Sequence, residues 1–108
     1  MTSVEHQDII PGTIFVATWG YDQTNVDYYE VTRATAKTVW LRAIASKVTR
    51  PLTAMSQEIV ARPGVFVGKE FRRRVHRDGA LTQPFVAIDS VHGAHPWNGQ
   101  PEFSSSWS

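Results

Sequence analysis

Two carboxylates and an amide lie close together in the sequence, around a predicted turn. Asp22 and Asp27 are five positions apart, and Asn25 lies between them. A hairpin could bring the carboxylates together, and paired carboxylates bind divalent metals or transfer protons. The segment lacks the regular oxygen ligands and the closing bidentate Glu of a calcium loop, so we expect no metal. Asp22 and Asn25 are equally typical of side chains that hydrogen-bond the backbone of a turn, in which case Asp27 faces basic residues of the next strand.

Aromatic side chains surround the same turn. Tyr21 lies within it, Tyr28 and Tyr29 follow it, and Trp19 ends the strand before it. Because side chains alternate along a strand, Tyr28 and Tyr29 must face opposite ways. We expect Trp19 to fill the core and close its end, with its polar tip in solvent. An exposed aromatic on a small barrel stacks bases or packs a partner, whereas a buried one closes the core. Tyr21 and Tyr28 therefore join the three polar residues of the turn as candidate binding residues.

The densest basic cluster is the run from Arg72 to Arg74. On a strand, Arg72 and Arg74 project to one side, and His76 continues the row. Arginine suits bidentate contact with phosphate or carboxylate, so this row is a candidate nucleic-acid surface. A charge run is also typical of a solvated face, and Glu70 offers one partner.

Arg73 lies between these two residues and shares its predicted face with Phe71 and Val75. A charged side chain on an apolar face must reach past the core edge or find an acidic partner. We expect one of these two arrangements, with Asp27 as the acidic partner in the second.

The last part of the chain offers Trp97 and two histidines. Trp97 is expected to dock residues 92–108 on the barrel and to contribute to a polar and aromatic patch with the turn. His92 and His95 would need a helix to ligate a metal together, but Gly93 and Pro96 disfavour one. The sequence contains no phosphate loop, dinucleotide fingerprint, nucleophile elbow or zinc motif, so we expect no cofactor.

Charge is distributed unevenly along the 108 residues, although the net charge is only +1. Residues 1–32 contain five acidic residues and no Lys or Arg, residues 33–77 contain all 11 Lys and Arg with two acidic residues, and residues 78–108 contain three acidic residues. The basic middle is either a surface for phosphates or the partner of acidic side chains on neighbouring strands. The chain has no Cys, no signal-peptide pattern and no apolar run of membrane-spanning length, which favours a soluble cytoplasmic protein without a membrane partner.

Alternating β-branched and aromatic residues predict strands over residues 13–19, 26–32, 37–45, 67–76 and 85–91. Residues 46–64 are ambiguous, because either a short strand over 57–62 or a helical turn over 54–60 fits them. Pro51 and Pro63 exclude a long helix there.

Five or six short strands without a convincing helix predict a small all-β fold. The first expectation is an SH3-like barrel of antiparallel strands, and an OB-like barrel is the alternative. We expect a lead-in over residues 1–12, the barrel over 13–91 and a tail over 92–108.

The segment of residues 19–31 reads Trp-Gly-Tyr-Asp-Gln-Thr-Asn-Val-Asp-Tyr-Tyr-Glu-Val. It resembles the signature of a family of small uncharacterised proteins encoded by bacteriophages and plasmids. The likeness continues through the Thr/Lys-rich turn at 35–39 and, more weakly, through 71–75 and 96–99. The resemblance implies a mobile-element accessory protein that acts in a bacterial host cell. It carries no catalytic residue over to this chain.

These observations favour a module that binds rather than catalyses. The first hypothesis is an accessory protein that binds host nucleic acid or a nucleic-acid-associated complex through Arg72 and Arg74. The second is a protein-binding inhibitor of a host or defence factor. The third is a small hydrolase that uses Asp22 and Asp27.

Overall fold

Alternating apolar residues generate strands throughout the part of the chain that the computed structural model describes, residues 9–19, 25–53, 56–76, 84–88 and 92–105. These residues form eight strands and no helix: β1 Ile14–Trp19, β2 Asn25–Ala34, β3 Thr38–Thr53, β4 Ser56–Phe66, β5 Phe71–His76, β6 Phe85–Ala87, β7 Gly93–Pro96 and β8 Glu102–Ser105. Since no helix occurs among them, none is long and apolar enough to cross a membrane.

Six of the strands close into a barrel. Neighbouring strands pair antiparallel in the order β1, β2, β3, β5, β6, β7. The ring closes because β7 also pairs with β1. The prediction of a small antiparallel barrel is confirmed. Strand order follows chain order around the ring, which is a meander and differs from the Greek-key order of the OB-like alternative.

The barrel interior is apolar. Its buried side chains come from all six strands and are Phe15, Ala17, Val31, Val39, Leu41, Val75, Val86 and Ala94. Along β1 and β3 these are alternate residues, as the pleat of a strand requires. The opposite parity on the same strands therefore faces outwards.

A second core covers part of that outer face. β3 continues beyond the barrel and pairs with β4, which in turn pairs with β8. This β3–β4–β8 extension packs on β1 and β2, and the side chains buried between them are Val16, Tyr28, Ile44, Ile59 and Ala61. Three consecutive residues of β1, Phe15 to Ala17, are buried as a result, because the strand is covered on both faces.

The strand β4 tolerates a proline because its pairing is interrupted there. Ala61 pairs with Ser46 and Phe66 pairs with Ile44, so residues 62–65 bulge out of the ladder. Pro63 falls in this bulge, where its missing N–H breaks no pairing bond. Gly64 follows with a φ of +83°, a conformation that glycine adopts without steric cost.

Several boundaries differ from the sequence prediction. The strand predicted over 67–76 begins at Phe71, and the one predicted over 85–91 is a strand over Phe85–Ala87. The third strand runs on from Ala45 to Thr53, since its second half gains β4 as a partner. The ambiguous segment forms a strand rather than a helical turn over its described residues. Residues 92–105 do not lie wholly outside the barrel, because β7 closes the ring between β1 and β6.

Candidate functional site

A small cleft opens at one end of the barrel, where β1, β2, β6 and β7 begin or end. It has a volume of about 220 Å³. We call it the mouth cleft, and it is lined by Ala17, Trp19, Asp27, Tyr29, Ile88 and His92. One carboxylate thus lies among three aromatic rings and two apolar side chains.

Trp19 and Asp27 are held together across the first hairpin. The indole Nε1 of Trp19 donates a hydrogen bond of 2.6 Å to Oδ2 of Asp27. The rings of Trp19 and His92 lie 5.3 Å apart at 59°. Trp19 shares the inward parity of Phe15 and Ala17, but it is 40% exposed because it lies at the barrel end. Trp19 therefore lies at the end of the core, as one part of the expectation has it, but it does not fill the interior.

Of the predicted turn, the structure describes Asn25 but not residues 20–24. Tyr21 and Asp22 lie outside the described residues, so the convergence of Asp22 with Asp27 stays a prediction. Asn25 is half-buried opposite Trp19 at the start of β2, and it does not line the mouth cleft. Asp27 bonds the Trp19 indole instead of a basic side chain of the next strand.

Tyr28 is not available at the surface, contrary to its proposed role in recognition. It is 1% exposed and lies in the second core, because the β3–β4–β8 extension covers the outer face of β2. Its hydroxyl donates a 3.3 Å hydrogen bond to the carbonyl of Ile59. Burial, and secondarily the negative charge of Glu102, raise the pKa of Tyr28 well above its ordinary value. Tyr29 faces the opposite way and meets Phe71 edge to face, as alternation predicts.

Trp97 lies with Tyr28 on the outer side of the sheet. Its ring meets the Tyr28 ring edge to face at 5.3 Å, and its Nε1 donates a 2.8 Å hydrogen bond to the carbonyl of Gln100. Trp97 thus packs on the barrel. It does not share a patch with Asp27, because Asp27 has the inward parity of β2 and Tyr28 the outward parity.

Arg73 reaches past the edge of the core, which is the first of the two predicted arrangements. Its Nε and Nη2 donate hydrogen bonds of 3.2 and 2.9 Å to the carbonyl of Ile88, and its guanidinium lies 4.8 Å over the Phe71 ring. Arg73 and Asp27 do not form the hypothetical ion pair, because each is engaged by other groups.

A second surface lies on the outside of the barrel, on β2, β3 and β5. Arg72 and Arg74 are exposed on β5, and in register they face Trp40 and Thr38 of β3. Trp40 also pairs with Arg33 of β2, whose guanidinium lies 4.7 Å over the indole ring. We call the four residues Arg33, Trp40, Arg72 and Arg74 the basic face. The sequence prediction contained its two β5 arginines but missed the other pair, which only the register of β2 and β3 brings alongside.

Few carboxylates neutralise the arginines of the described residues. The ion pair found among them joins Arg50 and Glu58, at 3.0 Å on the exposed β3–β4 extension. Arg42 instead donates to the carbonyl of Gly68 and lies 4.3 Å over the Phe66 ring. Contacts to rings and carbonyls fix a guanidinium without cancelling its charge. Acidic and basic residues do face each other across neighbouring strands at two places, Arg50 with Glu58, which form the ion pair, and Arg42 with Glu30. The arginines of β5 have no such acidic register partner.

The described residues offer little for metal binding. No group of three or more His, Asp or Glu side chains among them lies close enough to hold an ion. His92 and His95 are three positions apart along β7 and its approach, so they project to opposite faces of the sheet. The mouth cleft therefore offers a ligand one oriented carboxylate, that of Asp27, beside aromatic rings.

Comparison with known proteins adds no relative: no family model, no curated protein and no solved structure matches this chain.

Proposed function

We propose that this protein is a small accessory module that binds nucleic acid through the basic face. The observation that carries the proposal is the exposed row of Arg72 and Arg74 beside Trp40, with Arg33 stacked on the indole. Arg33, Arg72 and Arg74 form no ion pair with a carboxylate of the described residues. They outnumber the nearby carboxylate of Glu70, which accepts a 2.8 Å hydrogen bond from Thr32, and so form a local positive potential. Such a surface attracts the phosphate backbone and releases its counterions.

Trp40, the aromatic residue of the basic face, favours single-stranded nucleic acid as the ligand. Trp40 is half-buried, so part of its ring is open to solvent between arginines of two neighbouring strands. Bases of a single strand stack on aromatic rings and on guanidinium planes, while the phosphates follow the positive charges. In duplex DNA the bases are already stacked, so only the phosphate contribution remains.

The biological setting of the proposal comes from the sequence. The likeness of residues 19–31 to small bacteriophage and plasmid proteins supports an accessory role in the cytoplasm of a bacterial host. The binding partner is then host nucleic acid or a complex that contains nucleic acid.

Fluorescence anisotropy with a labelled single strand and the matching duplex, over a series of salt concentrations, tests the proposal. Replacing Arg72 and Arg74 with Ala removes two phosphate contacts, so the slope of log K against log salt should fall by about 1.4 for a single strand and about 1.8 for a duplex. Replacing Lys47 and Arg62 with Ala changes the net charge equally, at exposed positions on β3 and β4 outside the basic face. This control pair should leave the slope near the wild-type value. Negligible binding at low salt, or equal effects of the two double variants, would contradict the proposal.

Binding to a host or defence protein is the second candidate, and one observation favours it. Val65, Phe66 and Val67 form an exposed apolar run at and beyond the end of β4, with Val67 66% exposed. Contiguous exposed apolar residues mark protein interaction sites. Absence of nucleic-acid binding in the experiment above would leave this candidate in first place.

A further inference from the structure

The mouth cleft has the composition of a site for a positively charged organic group. Asp27 supplies a negative charge, and the rings of Trp19, Tyr29 and His92 supply polarisable surfaces around it. We propose that the mouth cleft binds a guanidinium group. This site is separate from the basic face and uses none of its residues.

The geometry fixes the carboxylate and keeps the cleft open. The Trp19 indole holds Oδ2 of Asp27 at 2.6 Å, which orients the second oxygen for a charge-assisted hydrogen bond. The rings of Trp19 and His92 are in tilted contact, 5.3 Å apart at 59°, and form part of the wall of the cleft. A planar guanidinium can therefore stack on a ring and donate to the carboxylate at once.

The volume limits the size of the occupant. At about 220 Å³ the mouth cleft is smaller than the ~300–1,000 Å³ of pockets that enclose drug-sized ligands. It accommodates a head group with a short stem rather than a whole nucleotide. The negative carboxylate also disfavours a phosphate, so the cleft does not extend the proposed nucleic-acid site.

The described lining of the cleft contains Asp27 and no Lys or Arg, so its charge has the sign that a cation requires. Arg73, a cation nearby in the fold, does not line the cleft, because its guanidinium is held by the Ile88 carbonyl and the Phe71 ring.

The chain itself shows that guanidinium groups pack well on its rings. Arg33, Arg42 and Arg73 lie 4.7, 4.3 and 4.8 Å from the centroids of Trp40, Phe66 and Phe71. None of these three pairs includes a carboxylate. The mouth cleft combines rings with Asp27, so it should hold a guanidinium more tightly than stacking alone does.

The test compares butylguanidinium with its neutral analogue butylurea on the full chain. Titration is followed by the NMR shift of the Trp19 indole N–H, which reports directly on the cleft. We expect butylguanidinium to bind at least about tenfold more tightly than butylurea, because only the guanidinium makes a charge-assisted hydrogen bond to Asp27; tenfold corresponds to about 1.4 kcal/mol. Equal binding of the two compounds, or no shift of the indole N–H, would overturn the proposal without requiring any variant.

A variant pair then assigns the effect to the carboxylate. Asp27→Asn keeps an oxygen that accepts from the Trp19 indole but removes the charge, so selectivity for butylguanidinium over butylurea should be lost. Glu58→Gln makes the same charge change on the β3–β4 extension and should leave selectivity intact. Equal selectivity in Asp27→Asn and wild type would refute the assignment.

The source of the guanidinium is distinguished by a third comparison. A blocked Gly-Arg-Gly peptide is titrated beside its citrulline analogue. Selective binding of the arginine peptide supports an arginine side chain of a partner protein as the ligand. Binding of butylguanidinium alone supports a free guanidino compound. The Arg72→Ala and Arg74→Ala double variant should bind butylguanidinium as wild type does, so this proposal and the nucleic-acid proposal fail independently.

Discussion

Replacing Tyr28 with Phe should destabilise the protein at neutral pH and stabilise it, relative to wild type, at high pH. At neutral pH the variant loses the 3.3 Å hydrogen bond from the Tyr28 hydroxyl to Ile59 and keeps the ring packed against Trp97. Loss of one such bond costs about 1 kcal/mol of unfolding free energy.

The sign of the effect at high pH follows from the raised pKa of Tyr28. The folded state resists forming the phenolate because the hydroxyl is buried and Glu102 is negative. The unfolded chain releases this proton near pH 10, so above that pH the unfolded state binds fewer protons than the folded state. Wild-type stability attributable to Tyr28 is therefore complete below pH 10 and declines above it by up to about 1.4 kcal/mol per pH unit. The variant lacks this decline, and the two stability curves should cross roughly between pH 10.5 and 11.

Urea unfolding followed by tryptophan fluorescence, repeated from pH 7 upwards, measures both curves. Absorbance of the phenolate provides the internal control, because ionisation of Tyr28 should coincide with unfolding in wild type and that component should vanish in Tyr28→Phe. Parallel stability curves for the two proteins would refute the reasoning, since they would mean that the Tyr28 hydroxyl ionises as readily in the folded as in the unfolded chain.

Two further substitutions probe the contacts that fix the extension and the barrel end. Gly64→Ala should cost about 1–2 kcal/mol in urea unfolding, because φ is +83° there and the Gly64 N–H must also keep its 2.7 Å bond to Glu30; a cost near zero would contradict this backbone requirement. Arg73→Met should lower the unfolding free energy by about 1–3 kcal/mol through loss of the bonds to the Ile88 carbonyl, with no added dependence on salt; a strong salt dependence would instead indicate an ion pair.

The barrel was predictable because β-branched and aromatic residues mark its strands and the pleat assigns their side chains to the two faces. Phe15, Ala17 and Val31 have the parity of the interior, and Tyr28 and Tyr29 are separated to opposite faces as predicted. Alternation does not say what covers the outer face. The burial of Tyr28 depends on Ile59 of the β3–β4–β8 extension, a contact between residues far apart in the sequence.

One local signal of that second core was present in the sequence. The run from Ile14 to Ala17 is continuously apolar, a pattern typical of strands that are buried on both faces. It indicates a cover over the outer side of β1 but does not identify β4 as the cover. Pro63 also concealed β4, since a proline in a central strand argues against that strand unless a bulge accommodates it.

The candidate sites were less predictable than the fold because each depends on register. Trp40 gains its importance from facing Arg33 on one side and Arg72 on the other, which no spacing within a single strand reveals. Trp19 was expected in the core from its parity, and parity was right about its side of the sheet. Parity does not give the position of a residue along the barrel axis. Trp19 lies at the end of the barrel, where a side chain on the inward face of its strand is exposed to solvent.

The acidic and basic residues that are unevenly distributed along the sequence contribute to two different surfaces of the barrel. Asp27 at the mouth cleft and Arg33 on the basic face are six positions apart on β2, which corresponds to about 20 Å along a strand. The Debye length is about 10 Å at 0.1 M ionic strength, so the two surfaces are largely screened from each other under ordinary conditions. A guanidinium in the mouth cleft should therefore not compete with phosphates at the basic face. Salt separates the two proposals further, because counterion release makes the phosphate contacts strongly salt-dependent, whereas a single guanidinium–carboxylate contact in a partly enclosed cleft is screened much less.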